Sequence, residues 1–239
     1  MRERASGGMV VIFDIGSTLI EGPPYGPARR LQQMLELGED VVRTLEPLLF
    51  RTETEQPEQL GELISRELGI DQERTRSACR ELWDAQLQEA YVLPGALQTV
   101  AALRKAEIPR AYLSNIWPPF YERFRTAFAE EAGAPQVLSF RSGRSKPDPD
   151  FFREVLDAAG TNPEDAMMVG DTYVNDILPA IELGMKTAWI LHRPKKEQES
   201  LRSVRAGEAP RPDIQLNSIG ELTPVRVRAL FEQATSFPR

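Results

Sequence analysis

Histidine and cysteine are all but missing from this 239-residue chain, which has one of each, His192 and Cys79. A single cysteine excludes an intramolecular disulfide and any cluster of thiolate metal ligands. A single histidine excludes multi-histidine metal sites, and no serine-elbow motif stands nearby to build a Ser-His-Asp triad on it. Lysine is scarce as well: of 29 basic residues only Lys105, Lys146, Lys186, Lys195 and Lys196 are lysines. No apolar run approaches the roughly 18–20 residues that a membrane-spanning helix needs. Residues 1–8 carry Arg2 and Arg4 without the apolar core of a signal peptide, and read as disordered. Net positive charge is lacking too. The formal charge is −7, which argues against a general nucleic-acid binder. What remains is the composition of a soluble, cytoplasmic globular protein, 41% hydrophobic and 27% charged. Its length fits one large domain, or a core carrying a smaller inserted one. Oligomeric state is not legible at this stage.

The charge deficit is local. Residues 21–94 hold fifteen acidic and eight basic residues, so the remainder of the chain is balanced. The hydrophobic pattern changes over the same stretch. Residues 10–13 form a short β-branched run that stops at Asp14, as a buried strand of a parallel sheet does. From Pro27 to Tyr91 the apolar residues recur at helical spacing: Leu31, Met34 and Leu35; then Leu60, Leu63, Ile64 and Leu68; then Ala78, Leu82, Trp83 and Leu87 behind an Asp71 cap. This acidic stretch is expected to be an all-helical unit. After Gly95, strands expected at 111–113, 137–140, 167–169, 187–191 and 214–216 alternate with helices, and the basic stretch 193–212 reads as a loop. Such alternation means β-α-β units and a parallel sheet with all strand C-termini on one edge, where ligands bind.

The polar residues that break the pattern fall on that edge: Asp14 to Thr18, Ser114-Asn115, Lys146-Pro147-Asp148-Pro149, and Gly170-Asp171-Thr172 followed by Asn175-Asp176. One aspartate after a strand is usually a cap or a turn former. Four such sites on one sheet edge have a common chemical use. A carboxylate, Asp14, can attack phosphorus to give an aspartyl-phosphate. A second carboxylate, Asp171, can share a hard cation with it, and oxygen ligands suit Mg²⁺. A lysine and a serine hydroxyl, Lys146 and Ser114, then hold the remaining phosphate oxygens, while the turn at Gly16 and Ser17 brings backbone amides close.

This set of residues resembles the haloacid dehalogenase superfamily of hydrolases, most of which are phosphatases. Phe13-Asp14-Ile15-Gly16-Ser17-Thr18-Leu19 is similar to its first motif, Leu113-Ser114-Asn115 to its second, Lys146-Pro147-Asp148-Pro149 to its third, and Val169-Gly170-Asp171-Thr172 with Asp176 to its fourth. The resemblance covers nearly the whole chain. It implies a Rossmann-like α/β core (residues 9–20 and 95–239) and an inserted helical cap (21–94), with hinge strands at 21–26 and 93–95. It implies Asp14, Ser114 and Lys146 as catalytic residues, and Gly16, Ser17, Thr18 and Asn115 as phosphate-binding ones. Asp14, the Gly16 carbonyl, Asp171 and Asp176 are the implied Mg²⁺ site, and a small phosphorylated metabolite the implied substrate. Arg29, Arg30, Arg43 and Arg51 become candidates for its distal part.

The resemblance breaks at Gly16. The family's phosphatases carry there a second aspartate that protonates the leaving group, and a positioned acid is worth about 10²–10⁴-fold. The dehalogenase branch also lacks that aspartate but has Ser-Asn where this chain has Gly170-Asp171. The phosphonate-cleaving branch needs a cap lysine, and residues 21–94 contain none. Two readings stay open beside the dehalogenase: a phosphatase selective for good leaving groups, and a phosphate-binding scaffold with little turnover.

Overall fold

The computed structural model describes residues 8–235, so the disorder expected for 1–8 falls, Gly8 aside, outside the described residues. In chain order, β1 (Val10–Phe13) and β2 (Ile20–Glu21) precede four helices, α1 (Pro27–Met34), α2 (Val42–Phe50), α3 (Pro57–Leu68) and α4 (Gln72–Glu89). Then come β3 (Tyr91–Val92), α5 (Ala96–Lys105), β4 (Arg110–Ser114), α6 (Pro118–Ala127), β5 (Gln136–Leu138), α7 (Ser139–Ser142) and α8 (Pro149–Ala159). The chain continues through β6 (Ala166–Gly170), α9 (Leu178–Glu182), β7 (Lys186–Ile190), α10 (Gln198–Ala206), β8 (Ile214–Leu216) and α11 (Pro224–Thr235).

Six strands form one parallel sheet in the order β5-β4-β1-β6-β7-β8. Helices cover both faces, so the central strands are apolar throughout; all four residues of β1 are buried. Successive side chains alternate between faces. Val11, Phe13, Met167 and Val169 pack into the larger core with Val100 and Leu103 of α5. Val10, Ile12, Ala111 and Met168 pack against Phe151, Phe152 and Val155 of α8. The strand order reverses at β1, which lies between β4 and β6, and the reversal opens a crevice at the C-terminal end of β1.

The four helices between β2 and β3 pack mainly on one another and join the larger core through Leu31, Leu45, Leu60 and Leu82. Asp71 caps α4 by accepting from the Arg74 amide at 2.8 Å. The links to this insert differ from expectation. The paired segments are Ile20–Glu21 and Tyr91–Val92, antiparallel, rather than 21–26 and 93–95. Gly95 instead has φ +86°, and a Cβ there would lie 2.8 Å from the Gly220 backbone, so it is a packing contact. Tyr91, at the end of the insert, is half exposed.

Three further stretches are corrected. Helix α2 was invisible because Pro47 interrupts it; it holds because Leu45 and Leu49 are buried beneath it. The stretch 193–212 contains α10, an amphipathic helix that buries Leu201 and Val204. Ser139 and Phe140 leave the strand and begin α7, and residues 173–177 make a wide π-type turn ahead of α9. Among the described residues no helix is long and apolar enough to cross a membrane.

Candidate active site

Asp14 directly follows β1 and is buried, and its carboxylate is held from three directions. Ser114 Oγ, at the end of β4, donates to Oδ1 at 2.9 Å; Lys146 Nζ donates to the same oxygen at 2.6 Å; Thr18 Oγ1 donates to Oδ2 at 3.2 Å. Lys146 Nζ also reaches Asp176 Oδ1 at 2.5 Å. Asp176 Oδ2 in turn accepts from the Thr172 amide at 2.9 Å. Asp14, Asp171 and Asp176 are buried, and each offers an oxygen within 4.8 Å of the others.

Local backbone explains why these groups meet. Asn115 does not extend into the crevice alone: its Nδ2 donates to the Lys146 carbonyl at 3.0 Å and its Oδ1 accepts from the Lys146 amide at 2.7 Å. It thereby fastens the lysine loop to the end of β4. Gly170 must be glycine, because a Cβ there would lie 2.4 Å from the Asp176 carboxyl carbon. Ser17 sits at φ +58° and turns its hydroxyl to Glu21 Oε1 at 3.2 Å, away from Asp14. Gly16 is under no such constraint. The nearest atom to a Cβ there is 3.8 Å away on Phe120, so the missing side chain is not a matter of space.

Crowding three carboxylates out of water has an electrostatic cost. Burial pushes the Asp171 carboxyl up to about 8, with the charges of Asp176 and Asp14 adding to it and Arg193 opposing. Burial raises Asp176 as well, against Lys146. Lys146 keeps its charge: burial alone would lower its pKa, and the paired Asp14 and Asp176 carboxylates more than reverse that. The donor set is all oxygen, carries more negative than positive charge around Lys146, and suits a hard divalent cation.

Three residues here were not assigned to the site from the sequence. Arg193 Nη2 pairs with Asp171 Oδ2, and its Nη1 lies 3.6 Å from Glu21 Oε1. His192 is half-buried, with Nε2 3.0 Å from Glu21 Oε2. Glu21 was read only as the start of a hinge, and Arg193 as the start of a loop. Neither carries a local signal, because the pairs span 22 and 171 residues of sequence.

The insert roofs the crevice and divides it into two hollows that share Phe50 and Asn115. The larger, about 530 Å³, lies over Lys146 and is lined by Arg43, Glu46, Arg51 and Asn175. The smaller, about 180 Å³, lies over Gly16 and Ser17. Of the four arginines nominated for the substrate, Arg29 and Arg30 are paired with Glu39 and Glu89. Arg43 and Arg51 line the larger hollow, Arg51 Nε donating to Ser145 Oγ at 3.0 Å.

Known proteins resemble this chain in sequence and in fold. Residues 9–184 match the pattern of haloacid dehalogenase-like hydrolases. A glyceraldehyde 3-phosphate phosphatase of Methanopyrus kandleri is 26% identical over 89% of this chain and 97% of its own. Other curated relatives are more similar over less: the chain spans about half their length, from 41% to 59%. Among solved structures, a β-phosphoglucomutase of Clostridium difficile superposes with a TM-score of 0.60 at 11% identity, over 97% of this chain and all of that one. A 2-haloacid dehalogenase of Pseudomonas syringae pv. Tomato gives 0.58 at 20%, over 93% and 99%. At such identities the two structures speak for the fold alone. Four motifs in order on one sheet edge, and a family match over most of the length, place this chain among the haloacid dehalogenase-like hydrolases.

Proposed function

We propose that this chain is a cytoplasmic Mg²⁺-dependent phosphatase of a small phosphorylated metabolite, working through an aspartyl-phosphate on Asp14. The observation that carries this reading is the buried Asp14 carboxylate, flanked by Lys146 and Ser114 and standing within 4.8 Å of two further carboxylates. Relatives of the chain bear phosphatase names, among them glyceraldehyde 3-phosphate, phosphoserine and phosphoglycolate phosphatases. Asp171, where a dehalogenase has asparagine, favours the phosphatase over the dehalogenase.

In this reading a carboxylate oxygen of Asp14 attacks phosphorus while the bond to the leaving oxygen breaks, and water then cleaves the aspartyl-phosphate. Lys146 and Ser114, already turned to Asp14, bind the phosphoryl oxygens, and the turn at Gly16, Ser17 and Thr18 closes around them. Asp14, Asp171, the Gly16 carbonyl and Asp176 would hold Mg²⁺, with Asp176 also fixing Lys146. The bound ion supplies the positive charge that offsets repulsion between the carboxylate and the phosphate dianion. Residues 21–94 act as a cap over the core formed by 9–20 and 95–239, and the Arg43 and Arg51 hollow takes the distal part of the metabolite.

The test is Mg²⁺-dependent phosphate release from an aryl and an alkyl phosphate, with Asp14→Asn as the blank. Fast aryl and slow alkyl turnover, both absent in the blank, is the expected result. Release no faster than the blank from either ester would overturn the reading and leave a phosphate-binding scaffold.

A further inference from the structure

The hollow over Gly16 holds a permanent cation and, among the described residues, no acid suited to donate a proton. The titratable side chains lining it are Glu21, Tyr25 and Arg193. Tyr25 is 56% exposed with its ring under the Arg29 guanidinium, so its hydroxyl is not fixed at the site. Glu21 is the carboxyl group that lines this hollow, but it is not free to act as an acid. Burial alone would raise its pKa; the His192 hydrogen bond, the Arg193 charge, the Gly22 amide and the Ser17 hydroxyl together hold it below the usual 4.5, so it stays ionised.

Arg193 is placed differently. Asp171 takes Nη2 and Glu21 stands near Nη1, so two carboxylates from different elements fix the plane of the guanidinium on the wall of the hollow that Gly16 and Ser17 also line. Its Nε is buried and has no hydrogen-bond partner among the described residues. A fixed, charged donor with unused capacity at the edge of a reaction site is the arrangement that stabilises charge as it develops, since nothing need reorganise during the reaction.

We propose that Arg193 is a catalytic residue on the leaving-group side, its guanidinium stabilising the negative charge that gathers on the departing oxygen where an acid at position 16 would deliver a proton. The inference rests on the aspartyl-phosphate reading above. As the bond from Asp14 to phosphorus forms, the bond from phosphorus to the leaving oxygen breaks, and its electron pair stays on that oxygen. The oxygen departs as an anion paired with Arg193 and takes its proton from water. A second water then attacks the aspartyl-phosphate, regenerating the Asp14 carboxylate and releasing inorganic phosphate.

The experiment measures the first turnover of 4-nitrophenyl phosphate and of phenyl phosphate at saturating Mg²⁺, in the full chain and in Arg193→Gln and Arg193→Lys. Nitrophenolate needs little help to leave and phenolate much more. Arg193→Gln is expected to keep the nitrophenyl rate within about threefold and to slow phenyl release about 10²–10³-fold, the loss typical of one oxyanion donor. Arg193→Lys, which keeps the charge without the fork, is expected to recover part of the phenyl rate. Should the glutamine variant not fold, the lysine variant carries the test alone, with a selective loss of about tenfold on phenyl phosphate. Equal losses on both esters would overturn the proposal and make Arg193 a support for Asp171. Mg²⁺ affinity read from Trp189 fluorescence separates the two roles, because the Trp189 indole N–H donates to the Asp171 carbonyl at 3.0 Å. An affinity shift that accounts for the whole rate loss speaks against the proposal, and an unchanged affinity with a selective loss supports it. If Asp14→Asn still releases phosphate, the aspartyl-phosphate reading itself has failed, and that outcome is distinct from the others.

Discussion

Lys146 and Gly16 bracket Asp14, one by a contact and one by a vacancy, and both have consequences that can be measured. Lys146 is buried between two carboxylates, which is why one ammonium persists where a lone buried lysine would lose its proton. Lysine is scarce in the composition, and a residue that precedes proline, as Lys146 does, is disfavoured in a helix. Gly16 was legible as a departure, and the structure adds that a Cβ there meets nothing closer than Phe120 at 3.8 Å. Gly16→Asp is therefore expected to fold and to raise turnover of an alkyl phosphate by about 10²-fold or more, with little change for an aryl phosphate. A variant that stays as slow on the alkyl ester would show that position 16 no longer faces the leaving group. Arg193, Glu21 and His192 were illegible for the opposite reason. Nothing local distinguishes an arginine that opens a basic loop from one that closes a site.

Strands were easier to read than helices in this chain, because a strand buried on both faces is a continuous apolar run and its end is marked by the first polar residue. Helices α2 and α10 were missed, since Pro47 and a dense run of charge mask an apolar face only two residues wide in each. The packing of α3 on α4 depended on a glycine that no pattern flags. A Cβ at Gly61 would lie 2.7 Å from the Arg76 Cα, where only backbone movement can relieve it. Alanine favours a helix over glycine by about 1 kcal/mol, but overpacking costs about 1–3 kcal/mol. Gly61→Ala should accordingly destabilise the protein by up to about 2 kcal/mol in urea titration. A stabilised variant would mean that the two helices separate freely.

The distribution of charge over the molecule makes its stability depend on pH and cation together. Asp171 is raised from 3.8 to about 8 and Asp176 is raised too, so between these values the folded protein binds more protons than the unfolded chain. Stability then falls as pH rises through that window. With chelator present, the melting temperature is expected to drop from pH 5 to pH 8, apart from the contributions of other groups. Asp171→Asn should flatten the profile. Added Mg²⁺ should raise the melting temperature most at the alkaline end, because a cation binds the deprotonated site and only the folded chain presents it. A profile that chelator and Mg²⁺ leave unchanged would show that the three carboxylates do not act as one cation site.

Periodicity and the residues that interrupt it were enough to determine, from the sequence alone, a parallel α/β core, a helical insert after the first strand, and the four polar segments on one sheet edge. Each of these is written in neighbours three to twenty residues apart, where local propensity and burial act. Tertiary structure alone decided which polar groups touch. It turned Asn115 onto the lysine loop, sent Ser17 to Glu21, drew Arg193 and His192 in from the far side of β7, and left Arg43 and Arg51 in the cleft while pairing Arg29 and Arg30 elsewhere. Those contacts join residues that only the closing of the sheet and the seating of the insert bring within a few ångströms. Their energies fall off with distance in space and not along the chain.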